Sequence, residues 1–217
     1  MVLHNFIVFE GIDGAGTSTQ LKLLKDFTND KPFLFTAEPT SCPTGKFLRQ
    51  VLKGDFVLEE STAAFLFAAD RNEHLYAKEL IDENKNLVTG IVESCNKNKI
   101  VVSDRYIFSS MAYQSISCGE ELPAFVNSPF PLPQLLFFFE IKAEESLKRI
   151  TDRSVREIYE EVNFLKKTED AYKKVIEKFE NTPLGNGMKI VHIDATKPKE
   201  EIQKEIWENI KATIKCL

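Results

Sequence analysis

A chain of 217 residues with 43% apolar and 28% charged side chains can bury a core without disulfides or a structural metal, which excludes disordered, collagen-like and disulfide-scaffold classes. Its 28 Lys+Arg against 33 Asp+Glu give a formal charge of -5, which argues against sequence-independent binding to long nucleic acid, where phosphate neutralisation dominates affinity. A small anionic ligand needs only a local cluster of cations, so that class stays open.

In chain order, Asn5–Glu10 (N-F-I-V-F-E) reads as a first strand, and the short stretch before it carries no positive flank, so no cleaved signal peptide is expected. Thr17–Phe27 keeps Leu21, Leu23 and Leu24 near helical spacing, and Phe33–Thr36 is a second strand. Pro43 opens a helix through Leu52, as proline does in a first turn. Glu59–Glu83 reads as one long helix and Asn86–Asn96 as another, followed by Lys99–Asp104, a buried strand ending in an acid. The proline-rich turn Asn127–Pro133 separates a helix from a strand at Leu135–Ile141, and Met188–Ile193 is the last strand. Helices are expected at Ala143–Ile150, Tyr159–Lys178 and Lys199–Ile214.

Five strands joined by long helical crossovers predict a doubly wound α/β fold with a five-stranded parallel sheet flanked by helices. No repeat or linker divides the chain, so residues 1–217 are expected to form one domain, with the charged segment at about 150–161 as a flap. The most apolar run, Leu135–Ile141, is broken by Glu140 and is far short of the roughly 20 residues of a membrane span. Cys42, Cys95, Cys118 and Cys216 have no C-x-x-C spacing and read as thiols of a reducing compartment. A cytoplasmic location is expected, with no membrane partner.

Gly11-Ile12-Asp13-Gly14-Ala15-Gly16-Thr17-Ser18 lies between the first strand and the first helix, the context in which G-x-x-x-x-G-K-[ST] makes a phosphate-cradling loop. Glycines let backbone N–H groups converge on an anion, the helix N-terminus adds partial positive charge, and Ser18 stands where a hydroxyl binds Mg²⁺. Thr17 holds the lysine position and cannot reach the outer phosphates. Lys22 does not replace it, because five residues along a helix turn a side chain about 140° away.

Four segments follow in order: Thr36-Ala37-Glu38-Pro39, Phe65-Leu66-Phe67-Ala68-Ala69-Asp70-Arg71, Asp104-Arg105-Tyr106 with Ser109-Ser110-Met111-Ala112-Tyr113-Gln114, and Ile193-Asp194-Ala195. Phe67 and Arg71 are four apart on a helix, so a flat ring and a guanidinium share one face. Asp104 closes a strand whose carboxyl end should lie beside the phosphate loop, well placed to hold Mg²⁺ or orient an acceptor, and Arg105 offers a planar fork for phosphate oxygens.

With F-E-G-I-D-G-A-G at the start, this ordered set resembles the thymidylate kinases, of the P-loop nucleoside monophosphate kinase fold with a lid segment, over nearly the whole chain. The resemblance implies transfer of the γ-phosphoryl group of ATP to dTMP, giving dTDP and ADP on the way to dTTP, with Mg²⁺ as cofactor. It implies ATP contacts from Gly11 to Thr19 and at Arg149, which would stack on adenine or merely cap its helix. It assigns Phe67 to stacking on thymine, Arg71, Ser110 and Gln114 to the base, Tyr113 to the sugar's 2′ side and Asp13 to the 3′-hydroxyl. Arg105 and Arg49 would touch phosphate, and Glu38 with Pro39 would lie near the acceptor.

This sequence departs from the family at Thr17, at Ala37 where arginine is usual, and at Gln134 where aspartate is usual. The resemblance is to the bacterial type: Thr151–Arg156 matches the lid, where bacterial members with no arginine in the phosphate loop, as here with Gly14, usually supply one, Arg153 first and Arg156 second. The catalytic set implied is then Arg105, Asp104, Arg153 and Glu38. His4, His74 and His192 show no metal spacing and receive no catalytic role, while Glu59–Glu60 and Glu160–Glu161 read as solvated faces. Family members commonly pair through the long Glu59–Glu83 helix, so a homodimer is expected. The rival readings are a nucleotide binder with weak or lost catalysis, motivated by Thr17 and Ala37, and a kinase for another nucleotide or a deoxynucleoside.

Overall fold

In the computed structural model, residues 1–28, 32–78, 80–81, 87–150 and 155–215 are described, with no side-chain description at 80–81, 87–88 and 155–161. The elements in order are β1 (Val2–Gly11), α1 (Thr17–Phe27), β2 (Phe33–Ala37), α2 (Pro43–Leu52), α3 (Glu60–Tyr76), β3 (Leu80–Ile81) and β4 (Leu87–Val88). Then follow α4 (Ile91–Asn96), β5 (Ile100–Asp104), α5 (Ile107–Cys118), α6 (Glu121–Asn127), β6 (Leu132–Glu140), α7 (Ala143–Arg149), α8 (Val155–Glu180), β7 (Lys189–Asp194) and α9 (Lys199–Thr213).

The main sheet is five-stranded and parallel, in the order β2-β5-β1-β6-β7. Phe6, Ile7, Val8 and Phe9 of β1 and Leu135, Leu136 and Phe137 of β6 are fully buried, so these inner strands are continuous apolar runs covered on both faces. Edge-to-face pairs such as Phe9–Phe137, with ring centroids 5.3 Å apart, fill the middle of the core. The edge strands β2 and β7 are mostly half-buried or exposed.

Strand order reverses at β1, whose neighbours β5 and β6 both follow it in sequence, and the carboxyl ends of these strands open the crevice where α/β sheets hold ligands. Phe9 pairs with Asp104 and Gly11 with Phe139, which sets the phosphate loop beside the acidic end of β5.

Several boundaries differ from the sequence reading. The first strand starts at Val2 rather than Asn5, and Leu132–Pro133 belong to β6 rather than to a turn, because Val2 and Leu3 pair with them ahead of a register shift. Asn5 takes a left-handed φ of 61° at that irregularity, and its N–H donates to Gln134 Oε1 at 2.8 Å. Gln134 also donates to the carbonyl of Thr213 at 3.2 Å and so ties the end of α9 to β6.

The expected Glu59–Glu83 helix ends at Tyr76, since Leu80–Ile81 instead pair antiparallel with Leu87–Val88; residues 79 and 82–86 lie outside the described set. The expected Asn86–Asn96 helix is likewise shorter: Val88 is in a strand, and helix begins only after Gly90, whose missing side chain lets it approach the carbonyls of Leu75 and Ala77. Glu59 and Glu60 are exposed as expected, while the side chains of Glu160 and Glu161 are outside the described set. Among the described residues no helix is long and apolar enough to cross a membrane.

Candidate functional site

The loop from Gly11 to Ser18 turns between β1 and α1 through Gly14 (φ 77°) and Gly16 (φ 95°), conformations that a side chain disfavours. Gly14 has a second constraint, because a Cβ there would stand 2.6 Å from Ser146 Oγ and 2.9 Å from the Ser146 carbonyl. The Ser146 hydroxyl donates to the Asp13 carbonyl and clasps the loop to α7. Gly16 is the N-cap of α1, so the helix presents its first N–H groups to the crevice.

A cavity of about 540 Å³ opens over this loop, lined by residues 12 to 20 together with Arg105, Arg149, Lys197 and Lys199. Arg149 is thus in the same cavity as the loop; its Nη2 donates to the Ala195 carbonyl at 2.9 Å, tying α7 to the segment after β7 rather than capping its own helix. Thr17 is buried.

Ser18 Oγ donates to Asp104 Oδ2 at 2.6 Å, while Asp104 Oδ1 is buried with no hydrogen-bond partner among the described residues. A hydroxyl and a half-used carboxylate side by side suit a hard, oxygen-seeking cation such as Mg²⁺, which usually takes one or two protein oxygens plus phosphates and waters. No group of three His, Cys, Asp or Glu side chains that could hold a metal occurs among the described residues.

On the other side of β5, Glu38 is buried at the end of β2, and three groups share its carboxylate. Arg71 donates to Oε2 through Nη2 at 2.6 Å and Nε at 2.9 Å, and His74 Nδ1 lies 3.0 Å from Oε1. Arg71 Nη1 also donates to Asn127 Oδ1, and its guanidinium lies over the rings of Tyr106 and Phe130, at 5.2 and 5.7 Å. Asp70, next to Arg71, is buried and accepts from the Thr40 N–H, the Thr40 hydroxyl and the Thr44 hydroxyl. Three residues on one face of α3 therefore hold the 36–44 segment in place. Arg49 braces it from α2 by donating to the Pro39 carbonyl, next to the cis Glu38–Pro39 peptide.

Phe67, one turn before Arg71, is half-buried and outside the main core cluster. Three atoms of α5 match Asp104 Oδ1 in being buried and unpartnered among the described residues: Ser110 Oγ, Tyr113 OH and Gln114 Oε1. Buried polar atoms are nearly always satisfied, so these atoms at the end of β5 and on α5 are free to bond a polar ligand. Burial pushes the Tyr113 hydroxyl up to about 12, which keeps it a neutral donor.

Arg105 stands between the two regions. Its Nη2 meets Asp13 Oδ1 at 2.6 Å, its Nη1 reaches the Gly11 carbonyl at 3.2 Å, and its plane lies over Tyr113 with Cζ 5.3 Å from the ring centre. Beneath it Glu10 is fully buried, and desolvation raises its carboxyl from 4.5 to about 7 against the opposing hydrogen bonds of Ser109 and Tyr172.

Sequence reasoning missed Glu10, His74, Ser109, Asn127 and Tyr172. An acid inside an otherwise apolar strand is a signal that could have found Glu10, and a histidine three residues after Arg71 on the same helix could have pointed to His74. Asn127 and Tyr172 reach the site from distant elements and leave no local trace. Arg153 lies outside the described residues, and so does the side chain of Arg156.

A sequence model of the family described as thymidylate kinase matches residues 9–206. A Treponema pallidum (strain Nichols) protein bearing a provisional thymidylate kinase name is 37% identical over 212 residues, covering 97% of this chain and 96% of its own. Proteins named "Probable thymidylate kinase" from Methanococcus aeolicus and Methanocaldococcus jannaschii are 40% identical over 209 residues and 35% identical over 208, covering 96% and 95% of both chains in each case.

Proposed function

The chain belongs to the thymidylate kinase family of phosphotransferases, and from that premise we propose that its site moves the γ-phosphoryl group of ATP to dTMP, giving dTDP and ADP and feeding dTTP synthesis. A dTMP phosphate oxygen attacks the γ-phosphorus, the bond to the β–γ bridging oxygen breaks, and ADP carries away that electron pair. Little covalent chemistry falls to the protein, so its contribution is positioning and charge neutralisation.

The observation that carries this reading is the glycine loop that opens a helix N-terminus, its Ser18 hydroxyl bonded to Asp104 and its cavity shared with Arg105 and Arg149. In this reading Gly11 to Thr19 cradle the donor phosphates and Arg149 stacks on adenine. Phe67 stacks on thymine; Arg71, Ser110 and Gln114 line the base, Tyr113 crowds the 2′ position, and Asp13 takes the 3′-hydroxyl. Arg105 and Arg49 hold the acceptor phosphate, and Glu38 and Pro39 shape the pocket around it. Ser18 and Asp104 would hold Mg²⁺, which when bound neutralises charge on the β- and γ-phosphates. Arg153 supplies the cation that Thr17 and Ala37 lack. A homodimer fits as well, since α3 and α6 pack together and expose Phe65 and Phe125.

The test is ADP release by the purified protein with Mg-ATP and each of dTMP, dUMP, dCMP and UMP. Turnover with dTMP far above the others is expected. Preference for dCMP or UMP would overturn the base assignment, and binding of both nucleotides without ADP release would leave a nucleotide binder instead of a kinase.

A further inference from the structure

We infer that Glu10 and Tyr172 are positioning residues that aim Arg105 at the acceptor phosphate, an inference that rests on the role of Arg105 proposed above. Arg105 has a left-handed φ of 73°, which a non-glycine residue keeps only where its surroundings over-determine it. Its peptide is pinned on both sides: the N–H donates to the Phe9 carbonyl at 2.9 Å, and the carbonyl accepts from Ser103 Oγ at 2.8 Å.

The side chain is fixed by a second layer. Arg105 Nη1 lies 3.2 Å from both Ser109 Oγ and Tyr172 OH, which are 2.7 Å from each other. Both hydroxyls also reach Glu10 Oε2, Tyr172 at 2.9 Å, while Glu10 Oε1 accepts from the backbone N–H groups of Tyr106 at 2.7 Å and Ser109 at 3.2 Å. One carboxylate therefore caps the start of α5 and gathers a hydroxyl from α8.

The chemistry of a hydroxyl explains why an acid is needed. Each hydroxyl has one proton and two lone pairs, and an arginine only donates. When Glu10 is ionised it can draw their protons, so that Ser109 and Tyr172 turn lone pairs to the guanidinium and accept from it. An amide at position 10 would bring its own donors into this closed space and reverse part of that order. The Tyr172 ring is itself set by stacking on Phe138, at 5.7 Å and 30°. A helix from late in the chain thus holds an arginine from its middle through an acid from its start, and neither Glu10 nor Tyr172 has an assigned place in the proposed substrate contacts.

The experiment measures binding of dTMP and of thymidine, which lacks the phosphate, to the wild type, Tyr172→Phe and Glu10→Gln, and of dTMP to Arg105→Ala with and without Tyr172→Phe. Tyr172→Phe removes one oxygen atom, and Glu10→Gln is the second variant in case it does not fold. Either is expected to weaken dTMP by about tenfold while thymidine changes by less than about twofold. With Arg105 already gone, Tyr172→Phe should change dTMP affinity by less than about twofold, the non-additivity of residues acting as one unit. Equal losses for dTMP and thymidine, or a full tenfold loss without Arg105, would overturn the inference in favour of a structural brace. A wild type that binds dTMP no better than its variants overturns the inference alone; one that binds no dTMP overturns the proposed function with it.

Discussion

On the β5 side of the phosphate loop the charged groups are set among fixed partners: Glu38 with Arg71 and His74, Glu10 with Ser109 and Tyr172, and Arg105 above them. On the β7 side, Lys197 pairs at the surface with Glu205 and Arg149 donates to a backbone carbonyl, while the loop relies on main-chain geometry. Side-chain charges held by packing are aimed before any ligand arrives, so electrostatic stabilisation costs no reorganisation. Backbone donors at a helix N-terminus can bind an anion without a dedicated cation, so in the proposed function the loop would not depend on a lysine at position 17. In the proposed function the acceptor side would then act through fixed side chains and the donor side through the backbone.

The sharpest test of that contrast is Arg105→Ala. It removes the cation that meets the phosphate loop at Asp13 and Gly11, and kcat/KM with dTMP should fall about 10³-fold, the scale on which a lost transition-state charge contact is felt. Steady-state ADP release measures it, and a loss below tenfold would show that the buried network serves stability alone.

Next in size is Arg71→Met, which leaves the buried Glu38 carboxylate without its strongest partner. Breaking a buried pair on one side costs about 3–5 kcal/mol, so the urea midpoint should drop sharply. Glu93→Ala, which breaks an exposed pair with Lys97, should cost under about 1 kcal/mol by the same measurement. Equal effects would erase the distinction between buried and surface charge on which the comparison stands.

A third test uses pH. The Glu10 carboxyl is raised from 4.5 to about 7, so the folded protein holds its proton more tightly than the unfolded chain does. Between those values the folded state binds more protons, and this contribution to stability is lost as pH rises from about 4.5 to about 7. Glu10→Gln lacks that slope, so the stability of wild type minus variant should fall by up to about 3 kcal/mol between pH 4.5 and pH 8. The difference also removes any fall of the same sign from His192, where burial opposes the charge but the Glu180 and Glu140 carboxylates outweigh it and raise the ring. A flat difference would mean that Glu10 stays ionised throughout and is fully compensated by its donors.

The same contrast explains what the sequence made legible. The parallel sheet was readable because β1, β5 and β6 each carry a short apolar run, Phe6–Phe9, Ile100–Val102 and Leu135–Phe139, and the loop because its glycines stand between a strand and a helix. The end of the Glu59–Glu83 helix was not, since Leu80–Ile81 fit a helix as well as a strand until their pairing with Leu87–Val88 is known. The 36–44 clasp was only half visible: Asp70 and Arg71 stood out, but nothing local says that they turn inward to Thr40 and Glu38. Glu10 and Tyr172 were invisible as partners because 162 residues separate them. Motif order reveals what touches a ligand; the residues that aim those contacts come from wherever the fold brings an oxygen.

The smallest effect is expected from Thr17→Lys, and its size is informative. Thr17 is buried at the start of α1, one residue before the Ser18 hydroxyl that bonds Asp104. A lysine there restores the charge the loop pattern expects, next to the backbone donors at the start of α1. If backbone donors and the Arg153 cation supply what transfer requires, the added charge is partly redundant and kcat should rise less than tenfold. A rise of about 10² or more would show that the donor side runs short of positive charge, and tolerance of Thr17 would then be a cost in rate rather than a different way of holding the triphosphate. Measuring KM for ATP in the same experiment separates the two cases: a redundant charge lowers KM with little change in kcat, whereas a missing one acts on kcat.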